Sequence, residues 1–218
     1  LAIRTLVDTV NSMAQAALEA GVSIVTGDTK VVEKGHGDGL FISTSGLGEK
    51  IPGTCVSGKS AKPGDIVLVT GTMGDHGITI LSQREGLGFE AQVQSDTAPL
   101  NHITEALLTA LGEQVHVLRD PTRGGLATTL NEIAAQSKVS IEIDEQAVPI
   151  HPAVASACEF LGLDPLYIAN EGKLIVIVEE DVAQEALSII RSCKYGENAA
   201  VIGRVSSEQP GFVSMKTA

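Results

Sequence analysis

Four short segments combine glycine with side chains able to handle an anion, a metal ion or a proton. The first is Thr26-Gly27-Asp28-Thr29-Lys30, at the end of an apolar run. Gly27 lets backbone approach a ligand closely, Asp28 can hold Mg²⁺, Thr29 can hydrogen-bond a phosphate or hold a turn, and Lys30 can neutralise an oxyanion. An Asx or Thr turn with a solvated lysine accounts for the same residues equally well. The second is Gly71-Thr72-Met73-Gly74-Asp75-His76-Gly77. Three glycines ahead of a helix can form an anion-binding nest, although the segment lacks the GK[ST] of a P-loop and a tight structural turn explains it more simply. His76 has no second histidine nearby and is weak evidence for a metal.

The third segment is Asp120-Pro121-Thr122-Arg123-Gly124-Gly125. Asp120 or Thr122 can cap the following helix, and Arg123 beside two glycines at a helix start is a candidate anion clamp, Gly124 giving the backbone room to approach. The fourth is Asn170-Glu171-Gly172-Lys173. A carboxylate in a glycine turn beside a buried strand can act as a general base; a hairpin-like turn with exposed charges is the alternative.

Such segments need rigid elements behind them, and the hydrophobic pattern supplies candidates. Ile3, Leu6, Val7, Val10, Met13, Ala14, Ala17 and Leu18 recur at helical spacing and Gly21 ends the run. Short strands are expected over Val22–Val25 and Leu40–Leu47, the second after a turn holding His36, Gly37, Asp38 and Gly39. From Ile66 onward strand and helix alternate. Strands are expected at Ile66–Thr70, Val115–Leu118, Ile141–Ile143, Leu174–Val178 and Ala199–Val205. Helices are expected at Gly77–Arg84, Pro99–Leu111, Leu126–Gln136, Pro152–Leu161 and Val182–Arg191. The nearly all-apolar Leu174–Val178 is the candidate central strand. This pattern predicts a mixed α/β (α+β) fold, helices layered on a mixed sheet. The Gly-, Ser-, Lys- and Pro-rich stretch from Glu49 to Pro63 suggests a boundary, with one domain over 1–57 and a second over 62–218.

Composition narrows the function classes. In 218 residues, 43% hydrophobic, no apolar run approaches the roughly 20 residues of a membrane span. The net charge of −12 and the 3% aromatic content argue against a nucleic-acid surface, which needs clustered cations and stacking rings. An acidic protein can still bind ATP through a bridging metal ion. Cys55, Cys158 and Cys193 lie far apart without a CxxC pair, which fits a reducing, cytoplasmic setting. The chain opens at Leu1 inside a helical pattern, so part of a longer enzyme is the expectation.

Taken in order, the four segments resemble loops of a superfamily of ATP-using enzymes that includes aminoimidazole ribonucleotide synthetase, selenophosphate synthetase and thiamine monophosphate kinase. The wording IVTGDTKVVEKG (24–35), GTMGDHG (71–77), DPTRGG (120–125) and NEGKL (170–174) is most similar to the branch that serves hydrogenase maturation, and Lys30, Arg123 and Glu171 favour that branch. The resemblance runs the length of the chain. It implies ATP-dependent dehydration of a carbamoylated C-terminal cysteine to a thiocyanate, which supplies cyanide to [NiFe]-hydrogenase. ATP and Mg²⁺ are the implied cofactors. The implied partners are the carbamoyltransferase HypF, a HypC–HypD scaffold and a second copy of the full-length chain. It implies Glu171 as base, Lys30 as its charge partner or an oxygen stabiliser, Gly27, Asp28, Thr29, Arg123 and Gly124 at the phosphates, and Asp28 toward the metal. On this resemblance the residues over 1–57 are the remnant of a nucleotide-binding domain, and those over 62–218 form a domain of the aminoimidazole ribonucleotide synthetase type.

Two departures stand out. The family's N-terminal segment and its cysteine-bearing tail have no counterpart in this sequence, so none of the three cysteines takes the acceptor role, and little turnover is expected of this chain alone. Another synthetase or small-molecule kinase of the superfamily, or a non-catalytic docking module, are the alternative readings.

Overall fold

A computed structural model describes residues 1–37, 39–87 and 93–217. The chain divides into two compact units, Leu1–Lys50 and Ile51–Ala218. In the first unit, helix α1 spans Ile3–Ala20. Gly21 stops it in the left-handed conformation at φ 67°, where the amides of Gly21 and Val22 close onto Leu18 and Ala17. The strands expected at Val22–Val25 and Leu40–Leu47 do not form among the described residues; both segments carry no ladder. An extended segment gains its hydrogen bonds only from a partner strand, and within this unit neither has one. Asp38, part of the expected turn, lies outside the described residues.

Among the described residues the second unit holds six strands: β1 (Ile66–Val69), β2 (Val115–Arg119), β3 (Ser140–Asp144), β4 (Ile175–Val178), β5 (Ala200–Ser206) and β6 (Val213–Lys216). Their order across the sheet is β2-β4-β1-β5-β3-β6. Four neighbouring pairs are antiparallel and β3–β6 is parallel. The helices are α2 (Asp75–Glu85), α3 (Asn101–Leu111), α4 (Gly125–Ser137), α5 (Pro152–Leu161) and α6 (Ala183–Ser192). The expected mixed α/β layering is therefore present, with the expected strands and helices of this unit in place. β6, at the sheet edge, was not anticipated.

Both faces of the sheet are covered. Val67, Val69, Ile175 and Ile177 pack with Leu126, Leu130 and Ile133 of α4. Leu68, Val176 and Val178 point the other way, onto Ile103 and Leu107 of α3 and Ala186 and Ile190 of α6. Alternation along each strand thus serves two cores, which is why the sequences IVLV and IVIV contain no polar residue. A smaller cluster joins α2 to α5 through Ile78, Val154, Ala157 and Cys158. β4 is interior, as expected, between β2 and β1.

Three boundaries correct the sequence reading. Neither Asp120 nor Thr122 caps α4, because the helix starts later; its N-cap is Gly124 at φ 71°, with no side-chain cap. Pro99 precedes α3 rather than sitting in its first turn, since Leu100 is the N-cap. α2 starts earlier than expected, at Asp75. Among the described residues no helix is long and apolar enough to cross a membrane.

Candidate active site

The strand order brings three of the four glycine segments together at one end of neighbouring strands. β1 and β2 both run antiparallel to β4, and Val69 and Arg119 both stand opposite Ile175. The loop leaving β1, the loop leaving β2 and the loop entering β4 therefore meet. They are Gly71–Gly77, Asp120–Gly125 and Asn170–Lys173.

Asn170 ties them together from a fully buried position. Its Oδ1 accepts the amide of Gly74 at 2.7 Å. Its Nδ2 donates to the carbonyls of Pro121 at 3.2 Å and Ile168 at 3.0 Å. Thr70 adds a reciprocal clasp, its amide donating to the Leu174 carbonyl at 3.0 Å and its hydroxyl accepting the Leu174 amide at 2.9 Å. Gly125 is required by its surroundings: its φ is 65°, and a Cβ there would stand 2.5 Å from the Leu166 carbonyl oxygen.

Glu171 stands at the rim, its side chain 42% exposed. The amides of Glu171 and Gly172 both donate to Asp96 Oδ1, at 3.0 and 3.3 Å. The backbone of Asp96 lies so close that a Cβ on Gly172 would be 1.8 Å from its carbonyl oxygen. The Asp96 side chain is 1% exposed, with Lys173 Nζ 3.9 Å from Oδ2, which has no hydrogen-bond partner among the described residues. Glu171 Oε1 is 4.0 Å from His76 Nε2, and His76 Nδ1 is 2.9 Å from Ser95 Oγ.

Asp75, at the start of α2, is buried, and its Oδ2 accepts a hydrogen bond from the Thr72 hydroxyl. Its Oδ1 has no hydrogen-bond partner among the described residues. Burial raises its carboxyl above the ordinary value, an effect that the Thr72 hydroxyl and the Lys173 ammonium reduce but do not cancel. At Asp120 burial also acts upward, but the Thr122 hydroxyl, a backbone amide and the Arg119 guanidinium outweigh it and hold the group low.

Of the residues singled out from sequence, Arg123 and Gly124 lie exposed at the uncapped start of α4, and Glu171 lies at the rim of the same loop cluster. Gly27, Asp28, Thr29 and Lys30 belong to the first unit, exposed and outside any regular element; there Asp28 Oδ1 accepts the Thr29 amide at 2.8 Å. Among the described residues no group of three or more His, Cys, Asp or Glu is placed to hold a metal ion. Asp28 is the one carboxylate assigned to Mg²⁺, an ion that usually takes one or two carboxylates from protein and its other oxygens from phosphate and water. Sequence reasoning missed Asp96, and it named Asn170 in the fourth segment without giving it a role. Asn170 carried a signal, an amide beside a glycine turn, but nothing local marked Asp96.

A shallow cavity of about 330 Å³ opens among residues that begin β1 and β2 and follow β4, lined by Lys62, Asp65, His116 and Glu179 among others. The buried His116 pairs with Asp65 there at 2.7 Å and its carbonyl accepts the Ser57 amide at 3.0 Å, which anchors strand starts rather than any reacting group.

Residues 62–216 match the family described as AIR synthase related protein, C-terminal domain. A carbamoyl dehydratase HypE of Azotobacter vinelandii is 55% identical over 208 residues, which cover 95% of this chain and 61% of the relative. A crystal structure of the hydrogenase maturation protein HypE in complex with ATP superposes with a TM-score of 0.91 at 50% identity, covering all of this chain and 67% of that one. A HypE–HypF complex gives a TM-score of 0.90 at 48% identity, covering 99% of this chain and 70% of the other. The chain thus spans about 61% of the length of its Azotobacter relative. By sequence and by fold, it belongs to the HypE family of hydrogenase maturation proteins, within the AIR synthase superfamily.

Proposed function

We propose that this chain carries part of the active site of an ATP-dependent carbamoyl dehydratase, which converts a carbamoylated C-terminal cysteine to a thiocyanate. The observation that carries the reading is the convergence of three glycine loops on Asn170, with Glu171 held at their rim by backbone hydrogen bonds. The support from relatives is their name, carbamoyl dehydratase, and the ATP complex of one of them.

Oxide is a poor leaving group and phosphate a good one, so ATP activates the carbamoyl oxygen before it is expelled. That chemistry needs an anion site and a base. The start of α4 has no side-chain cap, so its first amides are free to meet phosphate oxygens, with Arg123 adjacent and Gly124 giving backbone access. Glu171 is the base for the N–H protons, with its backbone fixed by Asp96 and its carboxylate free to move. Lys30 is assigned as its charge partner or as an oxygen stabiliser. Gly27, Asp28 and Thr29 are assigned to the nucleotide, and Asp28 would also hold the Mg²⁺ that accompanies it. In this reading residues 1–57 contribute to a nucleotide-binding domain and 62–218 form the second domain. HypF supplies the carbamoyl group, in line with the HypE–HypF complex. A HypC–HypD scaffold receives the cyanide, the full-length protein pairs with a second copy, and the work is done in the cytoplasm.

The test is ATP-dependent dehydration of a carbamoylated cysteine peptide by the polypeptide at its relatives' length. Glu171→Gln should leave ATP affinity within about twofold and lower the dehydration rate by about 100-fold or more. Unchanged dehydration would refute the assignment of the base, and loss of folding would show a structural role instead.

A further inference from the structure

The carboxylate of Asp96 divides between two kinds of partner. Its Oδ1 accepts the amides of Glu171 and Gly172, at 3.0 and 3.3 Å. Its Oδ2 faces the ammonium of Lys173, at 3.9 Å. Consecutive residues of one turn, Glu171, Gly172 and Lys173, therefore surround a single carboxylate. The arrangement is enclosed: the Asp96 side chain is 1% exposed and that of Lys173 11%. A carboxylate buried to that extent needs a countercharge, and Lys173 is the cation that stands against it.

We propose that Lys173 is a positioning residue of the dehydration, acting through Asp96 on the backbone of Glu171. The proposal rests on the carbamoyl dehydratase reading and deepens it. Two features fix where the ammonium stands. The clasp between Thr70 and Leu174 holds the main chain directly after Lys173. The lysine stem then lies across Gly71, where a Cβ would come within 3.1 Å of Cε and 3.3 Å of Cδ. Gly71 thus leaves the lysine its path. The same ammonium acts on the buried Asp75, whose carboxyl burial pushes up and the Thr72 hydroxyl and Lys173 draw partly back. One cation therefore serves two carboxylates, Asp75 beside the loop leaving β1 and Asp96 in the segment ahead of α3.

The charge matters because an ionised oxygen holds amide donors more strongly than a neutral one. Without Lys173, Asp96 is a buried charge lacking its counter-ion. The segment relieves that cost by opening the carboxylate to water or by binding a proton there. Either change weakens the hold on the Glu171 and Gly172 amides and leaves the Glu171 side chain on a looser backbone. Lys173 touches no reacting atom in this scheme.

The experiment uses the polypeptide at its relatives' length with a carbamoylated cysteine peptide and Mg²⁺-ATP, and compares Lys173→Met, Asp96→Asn and the double variant. Methionine keeps a stem over Gly71 and removes the positive charge. Asparagine keeps an oxygen acceptor for the two amides and removes the negative one. Lys173→Met should lower kcat by about 10-fold or more, with the KM for ATP within about twofold. Hydrogen exchange at the Glu171 and Gly172 amides should quicken by about 10-fold or more, while that of Val176 in β4 stays within about twofold. Adding Asp96→Asn to Lys173→Met should recover kcat by about threefold or more, because the unmatched charge is gone. A lysine that only packs would show none of this, since methionine packs in its place. Unchanged kcat or unchanged amide exchange in Lys173→Met, or a double variant no better than Lys173→Met, overturns the role of Lys173. If Lys173→Met does not fold, Asp96→Asn decides: it should quicken exchange at the same two amides and lower kcat, and unchanged values overturn the proposal. Absence of dehydration by the unsubstituted protein overturns the carbamoyl dehydratase reading itself, whereas dehydration with unchanged amide exchange in Lys173→Met overturns the role of Lys173 alone.

Discussion

Asn170 makes the loop cluster a single object, and replacing it tests that claim most directly. In Asn170→Ala the Gly74 amide loses its acceptor inside the protein, and an orphaned buried donor costs about 1–3 kcal/mol. Two further bonds, to Pro121 and Ile168, are lost at about 0.5–1.5 kcal/mol each. Pro121 O keeps the backbone amide of Asn170 at 3.3 Å, which limits the damage there. The sum is about 2–6 kcal/mol, or a fall in Tm of roughly 5–20 °C for a unit of this size. Urea denaturation followed by far-ultraviolet circular dichroism reads it. Asn170→Asp sharpens the test. It keeps an acceptor for Gly74 but places a carboxylate oxygen against two carbonyl oxygens, so the folded state must bind a proton there. The folded pKa then lies above the unfolded one, and stability is greatest at low pH and falls as pH rises. A loss below about 1 kcal/mol in Asn170→Ala, or a pH-independent Asn170→Asp, would refute the idea that this amide holds the loops.

Two other substitutions probe the same region. Asp75 has a raised carboxyl, chiefly from burial, so ionising it costs the folded state an amount that is absent at low pH and grows as pH rises through the folded value. Asp75→Asn should therefore gain in urea midpoint relative to the parent between pH 4 and pH 8; a larger deficit at pH 8 would contradict this. Gly125→Ala meets both a positive φ and backbone oxygens at 2.5 and 2.7 Å, whereas Gly211→Ala meets the same kind of φ, 87°, with nothing within 4 Å. The first should lose more than about 3 kcal/mol and the second about 1–2 kcal/mol in the same denaturation assay, and equal losses would show that contact is not what requires Gly125.

How much of this was legible depended on the range over which each feature is encoded. β1 and β4 were visible because burial on two faces turns a strand into an unbroken apolar run, a property of four adjacent residues. The glycine segments were visible for the same reason: positive φ at Gly74 and Gly124 and the close approach at Gly125 select glycine locally. Val22–Val25 and Leu40–Leu47 carry the apolar character of strands, yet strand formation is a property of a pair, and within the first unit the described residues offer no partner. β6 shows the converse. Val213–Lys216 is short and mostly exposed, and it is a strand because β3 lies alongside it. The site obeys the same logic. That the loops of β1, β2 and β4 meet at one end of the strands follows from the order β2-β4-β1, which no local pattern states. Asp96 reaches the Glu171 amide across 75 positions, from a polar stretch whose composition matches any solvated loop. Its importance lies in what burial does to a carboxylate: with its side chain 1% exposed, it is tolerable only if amides and a cation meet it, and the Glu171 and Gly172 amides and Lys173 are what meet it here. The desolvation that makes Asp96 costly is thus what lets it fix the backbone of the base, and neither part of that exchange exists until the chain has folded.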